Sequence, residues 1–319
     1  MTSSVLIHPD ELTQAWVDRA ASHRIDIIGI HPRGGKGAPT SLAELLELCG
    51  TEQFRALVDK AYDRGMRVEY EFHAAGYLVP RELFDTHPEY FRINEDGERV
   101  ADSNFCISNK EAMAMAVERA RDAARRLYRS TDRYYFWMDD SRNKACHCPQ
   151  CHHMTTADQQ MLFCEHILAG LRQDNPNATL AYLAYYDTMR LPTIPCNKDG
   201  LFLEYAPIEK SKTDADPVFV AEEIRMTKEL CAYFGTENAR VLEYWLDNSL
   251  FSKWKKPPQA FAFTSESIAA MQKDIADYRA MGFHEMATFA CFLGPDYEEL
   301  HGEPDIKPFG DCFVEWNHT

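Results

Sequence analysis

No stretch of this sequence reaches the roughly 18 consecutive apolar residues that a membrane-spanning helix needs, which excludes a transmembrane helix. The opening residues Met1 to Asp10 have neither a basic n-region nor a long apolar run, so no secretory signal is expected and the expected compartment is the cytoplasm. Positive charge is scarce. Lys and Arg number 34 against 50 Asp and Glu, a formal net charge of −16. Neutralising phosphates needs a surplus of Lys and Arg, so a general nucleic-acid binder is excluded. The same deficit excludes an anionic membrane surface as partner. No Walker or Rossmann glycine fingerprint is present, and no Ser or Cys sits in a nucleophile elbow. Low-complexity segments, long Pro/Gly/Ser linkers and short repeats are absent too, so a single domain over 1–319 is expected.

What is there is ordinary globular composition, 45% hydrophobic and 26% charged, arranged as short apolar runs alternating with helical patterns. The runs are Val5–Ile7, Ile25–Ile30, Arg67–Phe72, Arg133–Met138, Thr179–Tyr186, Leu201–Tyr205, Arg240–Leu246 and Met286–Phe292. Helical spacing fills most intervals, with Phe54, Leu57, Val58 and Ala61 sharing one face of the stretch 52–64. The interval 187–199 holds Pro192 and Pro195 and predicts an irregular connection. Eight strands alternating with helices predict an α/β fold, a (β/α)8 TIM barrel with irregular βα loops and a shortened last helix. A doubly wound sheet is the alternative. It would want a glycine-rich turn where His8-Pro9-Asp10 stands.

In such a barrel the site lies at the C-terminal ends of the strands. Those ends carry His31 and Arg33, then Glu71 and His73, then Asp139 and Asp140, then Tyr186, then Glu204 and Tyr205, then Glu243, Trp245 and Asp247, then Phe292. Carboxylates in buried strands are costly unless paired or functional. Carboxylates beside flat aromatic rings suit carbohydrate, with acids for proton transfer and hydroxyls and rings for the apolar faces of pyranoses. Glu69, early in its strand, reads as a structural partner, and Tyr185 as core. The adjacent pair Asp139-Asp140, directly after an aromatic strand, is the sharpest signal: the two side chains point in different directions, and one can face a pocket. A helix cap or turn is the alternative for Asp-Asp-Ser.

Five residues further on, Cys146, Cys148 and Cys151 can deliver three thiolates to one structural zinc, with His152 or His153 as the fourth ligand. The alternative is a reduced, tightly turned loop. The other cysteines, Cys106 among them, are scattered and read as small hydrophobes. In a chain of this size without a signal, reduced thiols are expected.

His87-Pro88-Glu89-Tyr90-Phe91, Asp96-Gly97-Glu98-Arg99, Phe105-Cys106-Ile107-Ser108-Asn109, the acidic strand end, the cysteine motif, and Leu183-Ala184-Tyr185 with Thr188 and Pro192 together carry a resemblance. Over about Arg67 to Tyr205 the chain resembles the bacterial domain-of-unknown-function 4838 family. That family is similar to glycoside hydrolase family 163 and, more distantly, to the α-glucuronidase and hexosaminidase barrels. The resemblance implies a TIM barrel and glycoside hydrolysis of endo-β-N-acetylglucosaminidase type, in which the sugar's own acetamido oxygen attacks the anomeric carbon. It makes Asp139 the residue that polarises the amide and Asp140 the general acid. The usual pair in that family is Asp-Glu, so Asp140 is one methylene shorter.

The expectation is therefore a glycosidase of a glycan or small glycoside, N-acetylhexosamine-containing in its finer form, that needs no cofactor for catalysis. A retaining glycosidase pairing Asp140 with Glu204 or Glu243 is one alternative. A non-catalytic carbohydrate-binding barrel with a zinc-stapled loop is another. The expected partner is a carbohydrate, with neither nucleic acid nor membrane, and assembly into a homo-oligomer is left open.

Overall fold

The structure is a computed structural model that describes residues 1–210 and 216–314. Its strands are β1 (Thr2–Ile7), β2 (Ile27–Ile30), β3 (Arg67–His73), β4 (Phe91–Ile93), β5 (Arg99–Phe105), β6 (Arg133–Trp137), β7 (Thr179–Ala184), β8 (Leu201–Tyr205), β9 (Arg240–Glu243) and β10 (Glu285–Phe289). The helices are α1 (Gln14–Ser22), α2 (Ala38–Leu48), α3 (Glu52–Asp63), α4 (Ala75–Leu78), α5 (Lys110–Arg126), α6 (Thr156–Asp174), α7 (Pro217–Phe234), α8 (Asn248–Phe251), α9 (Ser265–Ala280), α10 (Pro295–His301) and α11 (Lys307–Val314). Eight strands close into a barrel in the order β1-β10-β9-β8-β7-β6-β3-β2, with parallel pairing. This is the (β/α)8 barrel that the alternating runs predict. No helix among the described residues is long and apolar enough to cross a membrane.

The chain falls into two compact units: Met1–His31 with Thr51–Glu69 and Glu204–Thr319, and Pro32–Gly50 with Tyr70–Leu203. In the first, β1 is wholly apolar from Val5 to Ile7 and pairs with β2 and β10. Trp16 of α1 is buried and donates its indole N–H to the Leu293 carbonyl at 2.8 Å. Side chains alternate along β9: Arg240 points inward, and Glu243 outward to α9. In the second unit α5 and α6 pack so closely that a Cβ at Gly170 would lie 2.4 Å from Val117 Cγ1, so only glycine fits.

Three local readings change. The segment after β3 contains the antiparallel hairpin β4–β5, two strands that are not among the eight apolar runs. Asn94 makes its turn by accepting from the Asp96 and Glu98 N–H groups, and Gly97 supplies a φ of 83°. Helix α2 adds a further element between the second and third runs and buries Leu42, Leu45 and Leu46. Strands β7, β9 and β10 stop earlier than the apolar runs do, which leaves Tyr185, Tyr186, Trp245, Asp247 and Phe292 in the loops that follow. The interval rich in proline between β7 and β8 holds only the short 3-10 turn Tyr186–Thr188.

Candidate active site and cysteine cluster

Asp139 and Asp140 follow β6 directly and turn to different partners. Asp139 is taken up within the protein. Its Oδ2 accepts from Arg81 Nη2 at 2.7 Å and from the Asn104 N–H at 2.8 Å, and its Oδ1 accepts from the Gly76 N–H at 3.2 Å. Asn104 returns the bond, its Oδ1 accepting from the Asp139 N–H at 2.9 Å. The side chain is 8% exposed. Gly76 is required here, because a Cβ would lie 2.9 Å from Pro39 Cγ and 3.4 Å from the same Arg81 nitrogen.

Asp140 is exposed, and its Oδ1 accepts from the Tyr185 hydroxyl at 3.1 Å. Its Oδ2 and the His73 ring converge on Gly34: a Cβ there would sit 3.9 Å from Asp140 Oδ2 and 3.3 Å from His73 Cδ2. His73, the last residue of β3, donates from Nδ1 to the Met138 carbonyl at 2.6 Å and packs edge-on to Trp137. That bond fixes the ring's tautomer and direction. The Tyr185 and Tyr186 rings lie 3.9 Å apart, and the Arg142 guanidinium lies 3.6 Å from the Tyr186 ring centre. The C-terminal ends of β3, β6 and β7 thus present a carboxylate, an imidazole, a phenol and a cation-capped aromatic face. Tyr185 belongs to this group and not to the core. No local pattern distinguishes it, because its place follows from where β7 stops.

The remaining candidates are placed as follows. His31 stacks on His8, whose Nδ1 donates to the His31 carbonyl at 2.8 Å, and Phe292 packs edge-on to His8 with Lys256 4.1 Å above it. These belong to the ends of β1, β2 and β10. Beneath Phe292, burial pushes Glu11 up to about 8, although the His8 and Phe292 N–H groups that it accepts pull the other way. Arg33 is exposed, and Glu71 is fully buried on the inner face of β3. Glu204 is 3.0 Å from Arg240, which also pairs with Glu69 and Glu285. Glu243 accepts from the Tyr278 hydroxyl and pairs with Lys210, and Trp245 donates to Asp274. Tyr205 donates to Glu223 at 2.9 Å, and burial pushes that carboxyl up to about 7. Asp247 caps α8 through Ser249 and Leu250, and burial lifts it to about 6. Glu204, Glu243, Tyr205 and Asp247 are thus committed to partners inside the protein.

The cysteine motif gains a member that the sequence did not assign. Cys106, just past β5, joins Cys146, Cys148 and Cys151, with all four sulfurs within 4.8 Å of one another. Each cysteine is no more than 3% exposed. His152 and His153 are exposed, and His152 Nδ1 donates to the Pro149 carbonyl, so the expected histidine ligand is replaced by Cys106. The signal missed was hairpin closure: the Cys106 N–H donates to the Tyr90 carbonyl, which carries its thiol to the motif. Tetrahedral thiolates at about 2.3 Å from a zinc ion stand about 3.8 Å apart. Cys106 lies 3.6 Å from Cys148 and 4.0 Å from Cys151, and all ten cysteines are unpaired thiols. Cys106 and Cys151 pull the Cys146 thiol well below its usual range, while the same contact pushes Cys106 up. This buried four-cysteine set can hold a metal ion.

A family model described as "Domain of unknown function (DUF4838)" matches residues 48–241, more than half of the chain. The chain belongs to that family. No curated protein matches it. Among solved structures it is similar to a β-galactosidase from the psychrophilic Marinomonas ef1, with a TM-score of 0.57 and 12% identity over 100% of this chain and 59% of that one. It is also similar to a Bacteroides ovatus GH5 xyloglucanase solved with a XXXG heptasaccharide (TM-score 0.55, 13% identity, 100% of this chain and 75% of that one). A third is the pneumococcal virulence factor StrH, whose structure concerns N-glycan recognition and hydrolysis (TM-score 0.52, 11% identity, 99% and 83%). At such identities the likeness is one of fold: this chain adopts the barrel seen in those glycoside hydrolases.

Proposed function

We propose that this protein hydrolyses a glycosidic bond, with Asp140 as the acid that protonates the leaving oxygen. The observation that carries the reading is the convergence of Asp140 Oδ2 and the His73 ring on Gly34. A carboxylate oxygen without a hydrogen-bond donor among the described residues stands there at the C-terminal strand ends, where barrels of this kind do chemistry. Tyr185 orients it and Asp139 anchors the turn. The barrel's likeness to glycoside hydrolases supports the class of substrate.

In its finer form the substrate is an N-acetylhexosaminide. Its acetamido oxygen bonds to C1 as the C1–O bond breaks, and the leaving oxygen takes the Asp140 proton. The ring formed is an oxazolinium ion that keeps its N–H; water then attacks C1, the ring opens back to the acetamido group, and the water's proton goes to Asp140. Asp139, whose two oxygens already accept three hydrogen bonds, contributes fixed negative charge beside the reacting centre rather than a direct bond to the amide. The retaining alternative is disfavoured, because Glu204 and Glu243 are held by Arg240 and by Tyr278 with Lys210. The proposed partner is a carbohydrate, and the proposed metal is a structural zinc in the four-cysteine set. A reducing, cytoplasmic compartment suits ten unpaired thiols.

The test is a panel of nitrophenyl glycosides with and without a 2-acetamido group, assayed on the wild type and on Asp140→Asn. Hydrolysis by the wild type, reduced about 10²–10⁴-fold in the variant, supports the reading. Unchanged turnover in the variant refutes the role of Asp140, and sugar binding without any hydrolysis leaves the non-catalytic barrel as the answer.

A further inference from the structure

The hairpin β4–β5 is tied to the loop after β6 at successive points. The His147 N–H donates to the Ile93 carbonyl at 2.8 Å, and the Ile93 N–H points at Cys146 Sγ at 3.4 Å. Arg92, 1% exposed, grips Asp102 with two bonds of 2.8 and 3.0 Å and donates to the Ala145 carbonyl. Asp102 also accepts from Lys144. At one end of this seam lie the four sulfurs. At the other lies the reciprocal Asn104–Asp139 pair, two residues before Cys106. Asn104 holds a φ of 33°, a left-handed conformation that an L-residue adopts only when its surroundings impose it. Its backbone is pinned between the Asp139 contact and the sulfur cluster.

We infer that one zinc ion, held by Cys106, Cys146, Cys148 and Cys151, sets the register of the hairpin against the loop after β6, and that Asn104 is the positioning residue through which this register fixes Asp139. The donor set supports the metal: four buried thiols at near-tetrahedral spacing, drawn from two separate segments, with Ser108 and Ile93 donors already directed at Cys151 and Cys146. Binding releases thiol protons, and the ion then cross-links two loops that otherwise meet through hydrogen bonds, the Lys144–Asp102 ion pair and the packing of Ile93 on the cysteines. The consequence for catalysis rests on the glycosidase reading; the structural coupling does not.

The experiment therefore reads structure first. Metal content and intact mass are measured on the purified protein. Amide hydrogen exchange is then followed over peptides spanning 102–109 and 139–148, with zinc bound and after chelation. Cobalt substitution reports thiolate ligation by its charge-transfer absorption. One zinc per chain is expected, lost in Cys106→Ser and kept in His152→Ala. Chelation is expected to speed exchange at the Asp139 amide by roughly tenfold or more. Asn104→Gly is the decisive variant, since glycine adopts the positive φ without penalty and loses only the side-chain bond. It is expected to keep the cobalt spectrum of the wild type, to raise exchange at Asp139, and to lower kcat by about 10²-fold with little change in KM.

Absence of metal refutes the inference, as does a mass lower by two hydrogens, which marks a disulfide. If metal binds but neither its removal nor Asn104→Gly changes exchange at Asp139, the positioning claim is wrong. If chelation unfolds the whole chain, Asn104→Gly with zinc retained decides alone. Intact coupling without any glycoside turnover refutes the proposed function and leaves this inference standing.

Discussion

Arg240 and Glu69 meet across the inside of the barrel. Their strands, β9 and β3, stand four places apart in the closed order, so the 3.3 Å contact between Nη1 and Oε2 runs through the interior. Glu204 and Glu285, on the strands flanking β9, reach the same guanidinium at 3.0 and 3.3 Å. Arg240, Glu69 and Glu204 have no exposed side-chain surface. Three carboxylates on one cation are tolerable without water only because the fork of Arg240 serves all three.

Arg240→Met therefore strands three buried carboxylates. Breaking a buried ion pair from one side costs about 3–5 kcal/mol. A loss of that size in urea unfolding is expected. A loss below about 1 kcal/mol would mean that the carboxylates lie protonated and do not depend on the guanidinium.

Stability is expected to fall as the pH rises from about 4.5 to 8. Burial raises the folded-state value of Glu11 from 4.5 to about 8, of Glu223 from 4.5 to about 7, and of Asp247 from 3.8 to about 6. Over that window the native chain keeps protons that the unfolded chain has released, so unfolding gains as the proton becomes scarce. The contribution is complete below the unfolded values and is lost as the pH climbs through the folded ones. Glu11→Gln removes the largest of the three shifts. Denaturation curves at a series of pH values should show a shallower decline in that variant, and an unchanged slope would assign the pH dependence elsewhere.

The barrel was legible because its apolar runs and helical patterns alternate eight times, and the burial of Val5–Ile7 and Tyr134–Trp137 follows those runs. Two things were not legible. A strand carboxylate looks the same in sequence whether it faces the interior, the helices or the mouth; Glu69, Glu204 and Glu243 separate only once register and partners are fixed. Cys106 could not be joined to Cys146, Cys148 and Cys151, because the contact is made by a hairpin forty residues upstream. The Asp96-Gly97 turn was the local sign of that hairpin.

Glu243 supplies a test that separates structure from chemistry. Its carboxylate is buried against the Tyr278 hydroxyl, and burial with the neighbouring Glu243 charge pushes that phenol up. Tyr278→Phe leaves Glu243 short of a donor at a cost of about 1–3 kcal/mol. Glycoside turnover by the folded variant is expected to match the wild type. A fall of more than tenfold in kcat at full folding would restore Glu243 as a member of the reacting pair.

Gly34 gives the sharpest probe of the site itself. Its φ of −80° and ψ of −160° are open to any residue, so alanine meets no backbone strain. The added methyl would stand 3.3 Å from His73 Cδ2, close enough that the ring must give by a few tenths of an ångström, and 3.9 Å from Asp140 Oδ2. Alanine also lowers the entropy of the unfolded chain, so stability is expected to stay within about 1 kcal/mol of the wild type. Catalysis should respond differently. A methyl at the point where the carboxylate and imidazole converge displaces whatever reacts there, and a small misplacement of reacting groups costs up to about 10²-fold in rate. Steady-state kinetics with the best substrate of the glycoside panel should therefore show kcat/KM reduced at least roughly tenfold in Gly34→Ala and further in Gly34→Val. Full activity in both variants would show that the space beside Gly34 is not where the bond is broken.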